Sequence, residues 1–172
     1  MRKYSALILI MVFGLIFSQT KNVFDIARNG TLDEMKVLVS QDQDVINSKN
    51  DMGFTPLILA CYRGNAEVAK YLIDNVKDLD YISPEGTALS SLCISYNKEL
   101  VEKILSKNAN PNLQDSHGNT PLLWAVKRGN LELAKMLLNH KADKTIKDSM
   151  GISAFEYAIK SNNNEMINLL KF

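Results

Sequence analysis

From residue 22 onward, apolar side chains recur in short clusters, each closed by turn-forming residues. Val68, Leu72 and Ile73 fall on one stripe of a helix of period 3.6, and Leu133, Leu137 and Leu138 repeat that stripe. The segment before each stripe predicts a second helix. Thr55 can accept a hydrogen bond from a free backbone N–H at a helix start, and Pro56 suits the first helical position, where no donor is needed. Gly64 suits the left-handed residue that ends a helix. Asn65 then predicts the cap of the next helix, with Glu67 in its first turn against the dipole.

The pattern repeats. Gly53-Phe54-Thr55-Pro56-Leu57 returns as Gly118-Asn119-Thr120-Pro121-Leu122, with weaker copies at Glu85-Gly86-Thr87-Ala88-Leu89 and Gly151-Ile152-Ser153-Ala154-Phe155. The hydroxyl residues Thr55, Thr87, Thr120 and Ser153 are 32, 33 and 33 residues apart. Nine residues after each comes a second marker: Gly64-Asn65, Tyr96-Asn97, Gly129-Asn130 and Asn162-Asn163. Gly30-Thr31 is an earlier copy, 34 residues before Gly64. Five units of about 22–50, 51–82, 83–114, 115–147 and 148–172 are expected.

Gly-x-Thr-Pro-Leu, then Ala-x-x-Gly-Asn, then Leu-Glu-Leu-Ala-Lys-x-Leu-Leu, then Ala-Asp resembles the ankyrin repeat, most completely from Gly118 to Asp143. The resemblance covers residues about 22 to 172. It implies an all-α solenoid of stacked helix-turn-helix units with β-hairpin-like connecting turns, and hence a domain over residues 19–172. Where the family has His after Thr-Pro-Leu, this chain has Ile58, Ser90, Leu123 and Glu156. The resemblance therefore does not extend to the inter-repeat polar network built on that His.

The third unit departs furthest. Glu85 stands at the turn glycine, Tyr96 at the helix-ending glycine, and the unit is one residue short. A non-glycine residue held at positive φ costs on the order of 1 kcal/mol, unless Gly86 takes that conformation in a shifted turn. Hydrogen exchange is expected to be fastest around residues 80–97. Cys61 and Cys93 share one register position in consecutive units. Stacked units set equivalent Cα atoms roughly 10 Å apart, beyond the ~7 Å reach of a disulfide, which predicts two buried free thiols.

The N-terminus breaks the pattern. Arg2 and Lys3 precede an unbroken apolar run of twelve residues, Ala6 to Phe17, followed by Ser18-Gln19-Thr20. Twelve helical residues span roughly 18 Å, short of a ~30 Å hydrocarbon core, so residues 1–18 read as a secretory signal peptide cut near Ser18. That address implies a periplasmic or secreted protein. Contact with a membrane is expected only if the segment stays uncleaved, in which case the chain becomes a tethered structural scaffold. Composition adds an exclusion. With 20 basic and 19 acidic side chains and no basic run, the chain has little long-range attraction for polyphosphate, so nucleic acid is not an expected partner.

No catalytic motif is present: no His-Glu-x-x-His, no Gly-x-Ser-x-Gly and no phosphate-cradling glycine loop. His117 reads as a turn tip and His140 as a helix-end residue beside the dipole. Asp42, Asp44 and Asp51 lack the glycine turn and distal Glu of a calcium loop and read as solvated. Neither an enzyme, a cofactor nor a small-molecule substrate is expected. The resemblance implies instead that a protein partner docks on the hairpin tips and the exposed face of the first helices. The tips are Asp51, Met52, Ser83, Pro84, Ser116, His117, Ser149 and Met150. The helix positions are Ile58, Tyr62, Arg63, Ser90, Ile94, Leu123, Lys127, Arg128, Glu156 and Lys160, with Trp124 beside them. The candidate contact set is Met52, Tyr62, Arg63, Ile94, His117, Trp124, Lys127, Arg128 and Met150, with Tyr62, Arg63, Trp124 and Arg128 as anchors by residue type.

Overall fold

The computed structural model describes residues 21–171, so the signal-peptide segment 1–18 lies outside the described residues. Ten α-helices form five pairs: α1 (Val23–Asn29) with α2 (Leu32–Gln41), α3 (Pro56–Arg63) with α4 (Ala66–Asn75), α5 (Ala88–Ile94) with α6 (Lys98–Ser106), α7 (Pro121–Lys127) with α8 (Leu131–Asn139), and α9 (Ala154–Lys160) with α10 (Asn164–Leu170). A 3-10 turn, Gln43–Asn47, follows α2. Among the described residues the connecting turns form no strand. Isolated bridges join Ser83 to Gly86 and Lys147 to Ser153, and backbone bonds from Asn50 N to Phe54 O, Asp115 N to Asn119 O and Asp148 N to Ile152 O close the tips in the expected hairpin-like way.

Every first helix begins as its sequence requires. Thr55, Thr87, Thr120 and Ser153 each accept, through the side-chain oxygen, from the backbone N–H three residues on. First helices stack in one layer, α1 on α3, α3 on α5, α5 on α7 and α7 on α9. Second helices form the other, with α2 against α4, α4 against α6 and α8 against α10. Ala27, Cys61, Cys93 and Val126 hold one buried column of the first layer, where small side chains let the helices approach. The stripe residues Leu72, Leu100, Ile104, Leu133 and Leu137 are fully buried beneath the second layer. Each such side chain contributes about 1.5–3 kcal/mol of transfer free energy, which a lone unit could not collect. Cys61 and Cys93 are free and buried, and burial pushes both thiols far up, out of reach of the nucleophilic thiolate.

Several local expectations change. Asn97, Asn130 and Asn163 cap the second helices as expected, but Asn65 does not cap α4. Its amide reaches back to the previous unit and donates to the carbonyls of Ile26, Ala27 and Gly30, at 3.2, 3.3 and 2.9 Å. In the third unit Gly86 takes the turn at φ +96°, while neither Glu85 nor Tyr96 is left-handed. The helix there ends at Ser95 with φ −103°, and the Ser95 hydroxyl donates to Cys61 O at 2.8 Å. The turn slides by one residue onto the glycine, and no backbone strain is stored. Asp42 and Asp44 are engaged rather than merely solvated: Asp42 accepts from Asp44 N at 2.9 Å, and Asp44 pairs with Lys77 at 2.7 Å.

Candidate partner-binding surface

The tips are tied to one another before they offer any surface. Ser116 N donates to Pro84 O at 3.2 Å, and Ser149 N donates to His117 O at 3.0 Å. A Cβ on Gly118 would come within 2.6 Å of Ser149 N, so a glycine is required where the fourth tip crosses the fifth. Beneath the tips an asparagine or aspartate recurs. Asn50 Oδ1 accepts from Met52 N and Phe54 N, Asp115 Oδ1 from His117 N and Asn119 N, and Asp148 Oδ1 from Met150 N and Ile152 N, all at 2.9–3.1 Å. These turns are thus held by side-chain acceptors, which fixes the tips as a presented edge.

In the last two units the same acceptors reach further. Trp124 Nε1 donates to Asp115 Oδ2 at 3.1 Å, and Tyr157 Oη donates to Asp148 Oδ2 at 2.6 Å. The Lys127 ammonium donates to Asn119 Oδ1 and to Asp148 Oδ2, and stands 4.3 Å from the Tyr157 ring centroid. Burial alone would raise the Asp148 carboxyl. The bonds from Tyr157, Ile152, Lys127 and Met150 outweigh burial and hold it far below the usual carboxylate range. The network links units four and five. Asp115 and Asp148 carry it, and sequence reasoning did not single them out. Their signal was available: a carboxylate recurring after 33 residues, each followed nine residues later by an aromatic donor, Trp124 and Tyr157.

Three of the helix positions expected on the exposed face are buried instead. Ile58, Ser90 and Leu123 keep 3%, 0% and 1% of their accessible surface, because they point into the seam between neighbouring first helices. Glu156 is exposed but bound to its own helix start, closing a capping box with Ser153. Lys127 and Trp124 of the candidate set are engaged in the internal network described above.

The structure brings together Met52, Tyr62, Arg63 and Ile94. They line a groove of about 370 Å³ over α1, α3 and α5, with Phe54, Ile58 and Leu59 in its wall and Arg28 and Glu85 at its margins. Met52 and Tyr62 are 66% and 53% exposed, large apolar surface with no cover in the described chain. Arg28 and Glu85 were missed, although Arg28 precedes Thr31 by the three residues that separate Tyr62 from Asn65. His117, Arg128 and Met150 lie outside the groove, toward the fourth and fifth units; Met150 is 69% exposed.

In the second layer Lys70 pairs with Glu67 of its own helix and with Glu99 of the next unit, Lys98 with Glu132 and Lys103 with Asp74, while Lys36 and Lys135 form no ion pair among the described residues. Among the described residues Arg63, Arg128 and Lys160 of the first layer form no ion pair. His140 Nδ1 lies 2.9 Å from Met136 O at the end of α8. Among the described residues no three His, Cys, Asp or Glu side chains are placed to hold a metal ion, and no helix is long and apolar enough to cross a membrane.

A family model for ankyrin repeats, in three copies, matches residues 23–83 and 89–171. Among curated proteins, the chain is 30% identical over 90 residues to "Ankyrin repeat, SAM and basic leucine zipper domain-containing protein 1" of Notamacropus eugenii, covering 49% of this chain and 19% of that protein. It is 33% identical over 94 residues to "Protein fem-1 homolog A-like" of Mus musculus, covering 54% of this chain and 14% of that protein. The chain thus spans less than a fifth of the length of these relatives.

Proposed function

This chain belongs to the ankyrin-repeat family, and from that premise we propose that it is a non-catalytic module that docks a folded protein partner in the groove between its first and third units. Ankyrin repeats in general mediate protein–protein interaction. The observation that carries the finer reading is the groove of Met52, Tyr62, Arg63 and Ile94, apolar, open and margined by charge. Tyrosine and arginine beside a desolvated floor are the types that dominate interface energies. The apolar run Ala6 to Phe17 supports an exported location, periplasmic or secreted, with an accessory, regulatory or toxin-neutralising role. The same run favours the tethered scaffold if it is retained.

Affinity capture from an envelope extract tests both. The full chain, a Tyr62→Ala/Arg63→Ala variant and a His117→Ala/Met150→Ala variant serve as baits. A partner held by the first and third and lost by the second is expected. Retention by the groove variant and loss by the tip variant moves the site to the tips of the last units. The intact mass of the native protein reads the location: a start near Gln19 is expected, whereas retained residues 1–18 without a partner indicate the scaffold.

A further inference from the structure

The distribution of charge on the first helices is one-sided. Their acidic residues, Asp25 and Glu156, stand in first turns, and their basic residues stand in last turns or caps. Basic residues at a helix end offset the dipole, and that accounts for the cations in the last turns of α1, α3, α7 and α9. It does not supply a carboxylate to Arg63 or Arg128. Both lack one among the described residues and remain exposed, whereas Arg28 pairs with Asp25 and Lys127 with Asp148 in the same layer. Arg63 stands at the edge of the groove, and Arg128 follows two units later along the same line of helix ends.

We propose, on the basis of the groove reading above, that this face takes an acidic polypeptide segment, with a large apolar side chain seated between Tyr62 and Ile94 and carboxylates set against Arg63 and Arg128. Neighbouring helices pack 8–10 Å apart, so two units separate the guanidiniums by roughly 16–20 Å. An extended chain covers that in about six residues at ~3.3 Å each. Arg presents a planar fork that matches a carboxylate in two parallel hydrogen bonds. A polynucleotide fits less well. Two free guanidiniums over two units cannot neutralise a phosphate row with one charge per ~1.7 Å, and the apolar groove would stay uncovered.

A displayed random peptide library panned on the full chain, followed by affinities of the enriched peptides, tests this. Enriched sequences are expected to carry Phe, Leu or Met with two Asp or Glu about six residues apart. Their affinity is expected to fall about tenfold or more in Arg63→Glu/Arg128→Glu, to weaken with salt, and to be unchanged in Lys70→Ala on the opposite layer. Sequences whose binding needs Tyr62 but which show no acidic bias overturn the charge assignment and leave the groove standing. Absence of any enrichment that Tyr62→Ala abolishes overturns the groove, and this proposal with it. Tighter binding of a 20-base-pair duplex RNA, lost in the Arg63/Arg128 variant, overturns it in favour of a polyanion site.

Discussion

Asp148 joins the last two units through a single side chain. It is nearly buried, yet each carboxylate oxygen takes two donors: Met150 N and Ile152 N on one, the Tyr157 hydroxyl and the Lys127 ammonium on the other. Asp148→Asn keeps the shape but sets an amide N–H against the Tyr157 and Lys127 donors. A loss of about 1–3 kcal/mol is expected, read as a lowered midpoint in urea. The sign of the pH dependence follows from a depressed folded-state value. The carboxylate's contribution is fully present above the unfolded carboxyl value of about 4 and fades as pH falls toward the depressed folded value. The stability gap between parent and variant is therefore expected to be constant from pH 5 to 8 and to narrow in acid. A gap that widens in acid would contradict this account.

At the scale of elements, the junction between two helices serves as a cap in some units and as a clasp in one. Asn130 bonds within its own unit, to Leu133 N at 3.0 Å. Asn65 instead donates to three carbonyls at the end of α1 and ties the first unit to the second. Asn130→Ala is expected to cost about 1 kcal/mol as a lost cap. Asn65→Ala is expected to cost about 1–3 kcal/mol and to loosen the first unit selectively, seen as faster hydrogen exchange over residues 23–47. Equal, evenly spread effects would mean that the clasp has no special role. The loops after the second helices use the same device on a smaller scale: Asn47 accepts from Lys77 N, Asp80 from Asn110 N and Asn112 from Asp143 N.

The whole molecule is a row of units whose stability is shared between neighbours. The third unit is still expected to be its soft point, though for a different physical reason from the one its turn suggested. Gly86 relieves the turn, but Ser90 and Ser91 are buried where the second unit places Ile58 and Leu59 and the fourth places Leu123 and Trp124. Their hydroxyls are satisfied by Thr87, so the deficit is apolar contact alone. Exchange in α5 is expected to be at least ~10-fold faster than in α3 and α7, since the missing aliphatic burial amounts to 1.5 kcal/mol or more per side chain. Equal protection of α3, α5 and α7 would show that stacking overrides the difference. The third unit supplies Ile94 and Glu85 to the groove, so occupation of the groove is expected to slow that exchange.

The architecture was written in the sequence because it rests on local rules that recur from unit to unit. A hydroxyl three residues before a free N–H, a proline at a helix start and a leucine stripe each act within one or two turns of chain. Repetition makes such signals legible even where single copies are weak, as at Ser153 and Gly86-Thr87. Part of the groove was legible for the same reason, since Tyr62 and Ile94 hold one register position of the repeat and Arg63 the next. What the tertiary structure alone decided depends on distances between units. It buried Ile58, Ser90 and Leu123, drew Lys127 and Trp124 into bonds with the carboxylates of Asp148 and Asp115, and turned the amide of Asn65 away from its own helix. A side chain with several donors or acceptors, or with two faces, has more than one satisfactory partner within its own unit. Only the neighbour stacked roughly 8–10 Å away settles which one it takes.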